Sequence, residues 1–176
     1  SMTTGKLAKL CTQNKVKTFI YLSTIHVYSS KPEGLITERY KANNENPYAK
    51  SKLKGEELIK RKCDNSDTKF LILRLSNIIA SPLLKKTNCW ELLAPNICKQ
   101  IFENKYIVLN SNPSILRDFI GVNELNKFLD YYFTNLYNIE SDTFNFASAK
   151  AITILELAKK IKENYGKLYN DSINIS

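Results

Sequence analysis

The stretch 46–58, NPYAKSKLKGEEL, decides how the chain is read. Asn46 can accept from the first free amides of a helix, Pro47 suits the first helical position, and Lys60, Arg61 and Lys62 follow where a helix C-terminus favours cations. A helix beginning at about Pro47 sets Tyr48 and Lys52 one turn apart on one face. An ammonium beside a phenol favours the phenolate, which makes the pair a candidate acid/base. The spacing alone decides nothing, because ten tyrosines and 22 lysines in 176 residues make roughly one Tyr-x-x-x-Lys match expected by chance.

The neighbouring segments supply the context. Before the helix, VKTFIYLST (16–24) is a short apolar, β-branched and aromatic run that reads as a buried strand, and TGKLAKLCTQN (4–14) spaces Leu7, Leu10 and Cys11 at helical intervals. After it, KFLILRL (69–75) is nearly continuous apolar, the pattern of a strand covered on both faces. Strand, helix, strand implies a parallel pair. Downstream, CWELLAPNICKQIFEN (89–104) reads as a helix interrupted near Pro95, YIVLN (106–110) as a strand and VNELNKFLDYYFTNL (122–136) as a periodic helix. TFNFA (143–147) and AITILELAKKIKENYG (151–166) add a strand and a helix. The alternation predicts an α/β layered fold in one domain, residues 2–176. Ser1 ahead of Met2 reads as a tag remnant. The longest irregular stretch, SSKPEGLITERYKANNEN (29–46), lies directly before the Tyr48 helix, where a substrate-facing loop is expected.

Composition narrows the function classes. Lys+Arg of 26 against Asp+Glu of 17 gives a net charge of +9, a field that favours anionic partners. The densest basic run, KLKGEELIKRK (52–62), carries acidic residues within it and reads as a solvated helix face, so no nucleic-acid partner is expected. Cys11, Cys63, Cys89 and Cys98 show no C-x-x-C spacing and His26 is the sole histidine, which indicates neither a metal site nor a disulfide scaffold. Reduced thiols, no membrane-length apolar run and no leader make a soluble cytoplasmic protein the expectation.

Open α/β sheets bind ligands at the carboxyl ends of their strands, and STIHVY (23–28) places Ser23 and Thr24 at such an end, with Tyr48 24 residues beyond Thr24. An apolar strand ending in Ser-Thr, a loop, Tyr-x-x-x-Lys opening a helix, then an apolar strand ending RLSN resembles the extended branch of the short-chain dehydrogenase/reductase family, the NAD-dependent nucleotide-sugar epimerases, dehydratases and reductases. The resemblance runs from about Thr4 to about Ile161. It implies the C-terminal part of a doubly wound, Rossmann-like parallel sheet with part of a small substrate-binding subdomain.

By that resemblance Thr24, four residues before Tyr28, is the catalytic Ser/Thr, and Tyr48 and Lys52 are catalytic and contact the nicotinamide ribose. LRLSNIIASP (73–82) resembles the family's Arg-x-x-Asn segment, and ILRDFIGVNEL (115–125) its Arg-Asp-Phe segment. Asn77 and Arg117 are then the residues at the diphosphate of the nucleotide sugar. Read without the resemblance, Arg117 is also an ordinary surface cation, Asn77 a turn residue and His26 a packed or loop histidine.

Departures from the family pattern are informative. Ser29 and Ala80 stand where the family usually has glycine, and Ile25 and His26 follow Thr24 where its dehydratases carry an acidic pair, which disfavours a 4,6-dehydratase. The five glycines, Gly5, Gly34, Gly55, Gly121 and Gly166, cannot form the Gly-x-x-Gly-x-x-Gly turn that brings backbone amides to a dinucleotide pyrophosphate. Roughly three βα units of the family pattern are therefore expected to be absent before the first strand, and the end at DSINIS (171–176) looks early. The expectation is a fragment of an NAD(P)-dependent nucleotide-sugar epimerase or 4-keto-sugar reductase, inactive alone and not binding NAD(P) by itself. The alternative is a non-catalytic remnant that binds nucleotide sugars or dimerises. The resemblance also implies a homodimer through the opening helix and the Tyr48 helix.

Overall fold

The computed structural model describes residues 2–28, 34–84, 86–135, 140–170 and 173–175. In chain order the elements are α1 (Met2–Gln13), β1 (Thr18–Thr24), a 3₁₀ turn (Ile25–Val27), α2 (Pro47–Cys63), β2 (Lys69–Leu75), β3 (Asn77–Ile79), α3 (Leu93–Asn104), β4 (Tyr106–Ile107), β5 (Leu116–Arg117), β6 (Phe119–Gly121), α4 (Val122–Thr134), β7 (Asp142–Phe146), β8 (Ile152–Thr153), α5 (Ile154–Tyr169) and β9 (Asn174–Ile175). They divide into two compact units: Ser1–Ser76 with Lys127–Phe146, and Asn77–Asn126 with Ala147–Ser176.

In the first unit three parallel strands lie in the order β1-β2-β7. Thr18 stands opposite Lys69 and Thr24 opposite Leu75, so β1 and β2 end level with each other. The apolar run of β2 is explained by its central place: Leu71, Ile72 and Leu73 have no exposed surface, and full burial of such side chains contributes roughly 1.5–3 kcal/mol each. Ala8 of α1, Ile59 and Cys63 of α2, Phe19 and Tyr21 of β1, and Phe70 and Ile72 of β2 share one core cluster. Phe128 of α4 meets Phe146 of β7 with ring centroids 5.2 Å apart. β1 is less buried than its apolar sequence predicts, with Leu22 40% exposed, because among the described residues it is an edge of this sheet.

α2 begins where its sequence predicts. Asn46 Oδ1 accepts from the Tyr48 amide at 2.9 Å, Pro47 occupies the first turn and Lys60, Arg61 and Lys62 the last. The basic run on this helix is not wholly a solvated face, however. Lys54, Glu57, Lys60, Arg61 and Lys62 are exposed, whereas Glu56 is buried.

The second unit is built around α3 and α5, with Ala94, Ile97, Ile101, Ile107, Leu157, Ala158 and Ile173 as its core. Parallel pairs β3-β6 and β4-β9 and the antiparallel pair β5-β8 flank it. Pro95 does not interrupt a helix there. It lies in the first turn of α3, where its missing N–H costs no intrahelical bond. The strand expected over 106–110 shrinks to Tyr106–Ile107. No helix among the described residues is long and apolar enough to cross a membrane.

Candidate functional site

Thr24 is the last residue of β1 and caps the turn that follows. Its backbone is extended and its Oγ1 accepts from the His26 amide at 3.3 Å. His26 itself is exposed and part of that turn. Asn44 then joins the turn to the start of α2: its Nδ2 donates to His26 O at 2.8 Å, its main-chain amide to Val27 O at 3.2 Å, and its Oδ1 accepts from the Asn46 amide at 2.9 Å. Asn46 Oδ1 in turn receives the Tyr48 amide. Two asparagine side chains thus run in relay from the residue after Ile25 to the backbone of Tyr48, whose side chain is 55% exposed.

One turn further along α2, Lys52 Nζ donates to Leu22 O at 2.9 Å and lies 5.9 Å from the Tyr48 ring centroid and 5.3 Å from that of Tyr21. Burial pushes the Tyr21 phenol above its ordinary value, so that ring stays neutral beside the ammonium. Another turn on, the Glu56 carboxylate, 1% exposed, accepts from Ser23 Oγ at 2.5 Å and from Arg74 Nη2 at 2.7 Å and Nε at 3.2 Å. Arg74 Nη1 donates to Tyr28 Oη at 2.8 Å, and Tyr28 Oη donates to Asn145 Oδ1 at 2.7 Å. Burial opposes the charge on Arg74, but hydrogen bonds to Glu56 and Tyr28 outweigh it, so its pKa is raised. Asn145 closes the network onto the loop before α2, donating from Nδ2 to Ile36 O and from its main chain to Glu38 Oε1.

Thr24, Tyr48 and Lys52 therefore belong to the first unit and are joined by short hydrogen-bonded paths. Asn77 and Arg117 belong to the second. Asn77 Nδ2 and its amide both donate to Asp118 O, at 2.8 and 3.3 Å, which ties Asn77 to the residue after Arg117. Arg117 is half-buried in β5 opposite Ile152. Asp118 gathers the amides of Ser148 and Lys150 and the Ser148 hydroxyl, shaping the turn around Ala149, whose φ is +58°. Ser29 lies outside the described residues, and Ala80 is exposed in the segment after β3.

Glu56, Asn44 and Asn145 went unread in the sequence. A signal for a buried acidic partner existed, though not for which residue supplies it: the arginine inside KFLILRL, a run otherwise fit for burial, needs a buried partner of opposite charge. Nothing in the sequence pointed to Asn145, which lies 117 residues from Tyr28.

A family model described as the NAD dependent epimerase/dehydratase family matches residues 1–147. Among curated proteins, dTDP-D-glucose 4,6-dehydratase of Dictyostelium discoideum is 26% identical over 177 residues, covering 90% of this chain and 37% of that protein. Among solved structures, UDP-N-acetylglucosamine 4-epimerase from Methanobrevibacter ruminantium M1, in complex with UDP-N-acetylmuramic acid, matches with a TM-score of 0.80 at 22% identity over 98% of this chain and 53% of that one. UDP-glucuronic acid 4-epimerase from Bacillus cereus, in complex with NAD, matches with a TM-score of 0.81 at 22% identity over 99% and 55%. The chain thus spans about half the length of these structures. At such identities the structural likeness shows the fold, an α/β arrangement with a Rossmann-like parallel sheet.

Proposed function

Because the chain belongs to the NAD-dependent epimerase/dehydratase family, we propose that it is part of an NAD(P)-dependent nucleotide-sugar epimerase or 4-keto-sugar reductase, with Thr24, Tyr48 and Lys52 at the reacting centre and Asn77 and Arg117 at the substrate diphosphate. One arrangement supports this reading above the others: Thr24 closes a parallel strand, and the Asn44–Asn46 relay and the Lys52–Leu22 hydrogen bond hold the first turns of α2 against that strand end. The end of a parallel strand is where this class of sheet receives its ligand.

Thr24 Oγ1 accepts from His26, which leaves its hydroxyl proton to donate to a sugar oxygen. Tyr48 takes the proton of that sugar hydroxyl during oxidation and returns it during reduction. Lys52 spends one N–H on Leu22 O and has two more for a ribose hydroxyl and the Tyr48 oxygen. A bound nicotinamide supplies hydride acceptance and return, the chemistry no side chain offers. The donors on α2 fit the ribose end of such a cofactor. The glycine spacing of these 176 residues does not fit its pyrophosphate. That mismatch is why we assign no turnover to this chain alone; the second reading is a nucleotide-sugar-binding or dimerising module without catalysis. Both readings make it a cytoplasmic homodimer through α1 and α2.

Calorimetric titration with NAD(H) and with UDP, dTDP and GDP sugars tests the assignment. A nucleotide sugar binds, and Arg117→Ala weakens that binding by about 1–3 kcal/mol, the loss of a charge-assisted hydrogen bond. Absence of any nucleotide-sugar binding overturns the reading, and unchanged affinity in Arg117→Ala removes that residue from it. Incubation with NAD⁺ and the same sugars leaves them unconverted. Conversion that disappears in Tyr48→Phe shows that these residues hold the nicotinamide unaided.

A further inference from the structure

Glu56 and Arg74 form a bidentate ion pair with side chains 1% and 7% exposed, at a point in the first unit where hydrogen bonds tie α2, β1, β2 and β7 together. Such a pair is weak as a device for stability. Two charges must leave water, and apolar side chains of similar volume fill the same space without that cost. What apolar side chains cannot do is set direction. The guanidinium fork admits a carboxylate in one plane and a phenol beside it, and a carboxylate held by that fork has oxygen lone pairs left for one hydroxyl.

The register in which α2 meets β1 follows from this. Lys52 and Glu56 stand one helical turn apart and grip consecutive residues of the strand: Lys52 Nζ holds Leu22 O, and Glu56 holds Ser23 Oγ. Thr24 is the next residue of the strand, and Tyr48 is one turn back along the helix. A slip of α2 by one residue breaks both grips, since 3.6 residues per turn would rotate Glu56 away from Ser23. Arg74 also reaches Tyr28, the residue that ends the turn after Thr24, and through Asn145 the loop at Ile36 and Glu38. One buried guanidinium therefore governs the helix bearing Tyr48, the turn following Thr24 and the loop between them.

We propose that Arg74 and Glu56 are positioning residues, which act through Ser23 and Tyr28 to set Thr24, Tyr48 and Lys52 in one fixed geometry. The proposal rests on the reading of those three as the reacting centre, but its test uses ligand-free chain and needs no turnover, so its failure is separate from failure of the functional reading.

The test compares wild type with Glu56→Gln, Arg74→Lys, the apolar double variant Glu56→Leu/Arg74→Met and a core control, Ile59→Val. Two quantities are read beside the melting temperature: amide hydrogen exchange of residues 22–28 and 46–54, and the acetylation rate of Lys52 relative to the other lysines. The expected result is exchange in both segments faster by about tenfold or more than in a control of equal melting temperature, with relative Lys52 labelling up by about threefold. The double variant keeps or regains the melting temperature while both readouts stay elevated. The proposal is overturned if both readouts follow global stability alone, or if the double variant restores them, because the pair then only fills space. Where a variant does not fold, wild-type exchange decides: the amides of His26, Tyr48, Glu56 and Arg74 open as one cooperative unit, and independent opening of the segments overturns the proposal.

Discussion

Gly55 sits in the middle of α2, where alanine ordinarily stabilises a helix by about 1 kcal/mol. A Cβ at this position would lie 2.5 Å from Tyr21 Oη and 2.9 Å from its Cζ. The ring would have to swing away, and it is the same ring that flanks Lys52. Gly55→Ala therefore lowers stability despite its better helix propensity, by about 1–3 kcal/mol as an overpacking change. Chemical denaturation measures it, and the Tyr21→Phe background, which removes the nearest atom, reduces the loss. An equally stable or more stable Gly55→Ala would show that Tyr21 moves at no cost.

Among the elements, α5 depends on its first turn. Thr153 Oγ1 accepts from the Glu156 amide at 3.1 Å while Glu156 Oε2 accepts from the Thr153 amide at 2.7 Å, a capping box that satisfies two otherwise free donors. Thr153→Ala costs about 1 kcal/mol, and because α5 carries Leu157 and Ala158 into the core of the second unit, the loss is seen in the unfolding midpoint of that unit. The loop before α2 has an electrostatic dependence of its own. The Asn145 amide, at 2.7 Å, is the main influence holding the Glu38 carboxyl below the usual carboxylate range, with the Arg74 charge a smaller one. A carboxyl lowered in the folded state contributes stability above its unfolded value, about 4.3 for glutamate, and loses it as pH falls through the folded value. Acidification through that window lowers the melting temperature more in wild type than in Glu38→Gln; parallel curves for the two would exclude Glu38 as a source of acid sensitivity.

At the scale of the whole molecule, α1 leaves Met2, Leu7 and Leu10 exposed while its Ala8 is fully buried. Exposed apolar side chains on a helix whose other side is already packed are consistent with a partner surface. In the proposed homodimer that surface is covered by its copy, so Leu7→Glu with Leu10→Glu shifts the sedimentation profile at tens of micromolar from dimer to monomer. A wild-type chain that sediments purely as a monomer at that concentration counts against the assembly. β1, an edge strand among the described residues, presents a further liability because Leu22 is exposed on it, and larger assemblies through that edge are the expected failure when α1 and α2 are disturbed.

The helix at Pro47, the parallel strands on either side of it and the alignment of Tyr48 with Lys52 were legible in the chain itself, because each depends on interactions no longer than a turn or on a run of apolar residues. Asn46 needs only the amide two residues on, and KFLILRL announces its burial by composition. The short strands β3, β5, β6 and β8 were not legible, since two or three residues carry no period and pair only when the chain has already folded. Nor was the burial of Glu56, which sits among lysines and glutamates that face water. Its environment depends on Ser23, Arg74 and, through Tyr28, on Asn145, residues up to 89 positions away from it along the chain. A charge is stable inside a protein only beside its partner, and where that partner stands is a property of the packed sheet rather than of any segment.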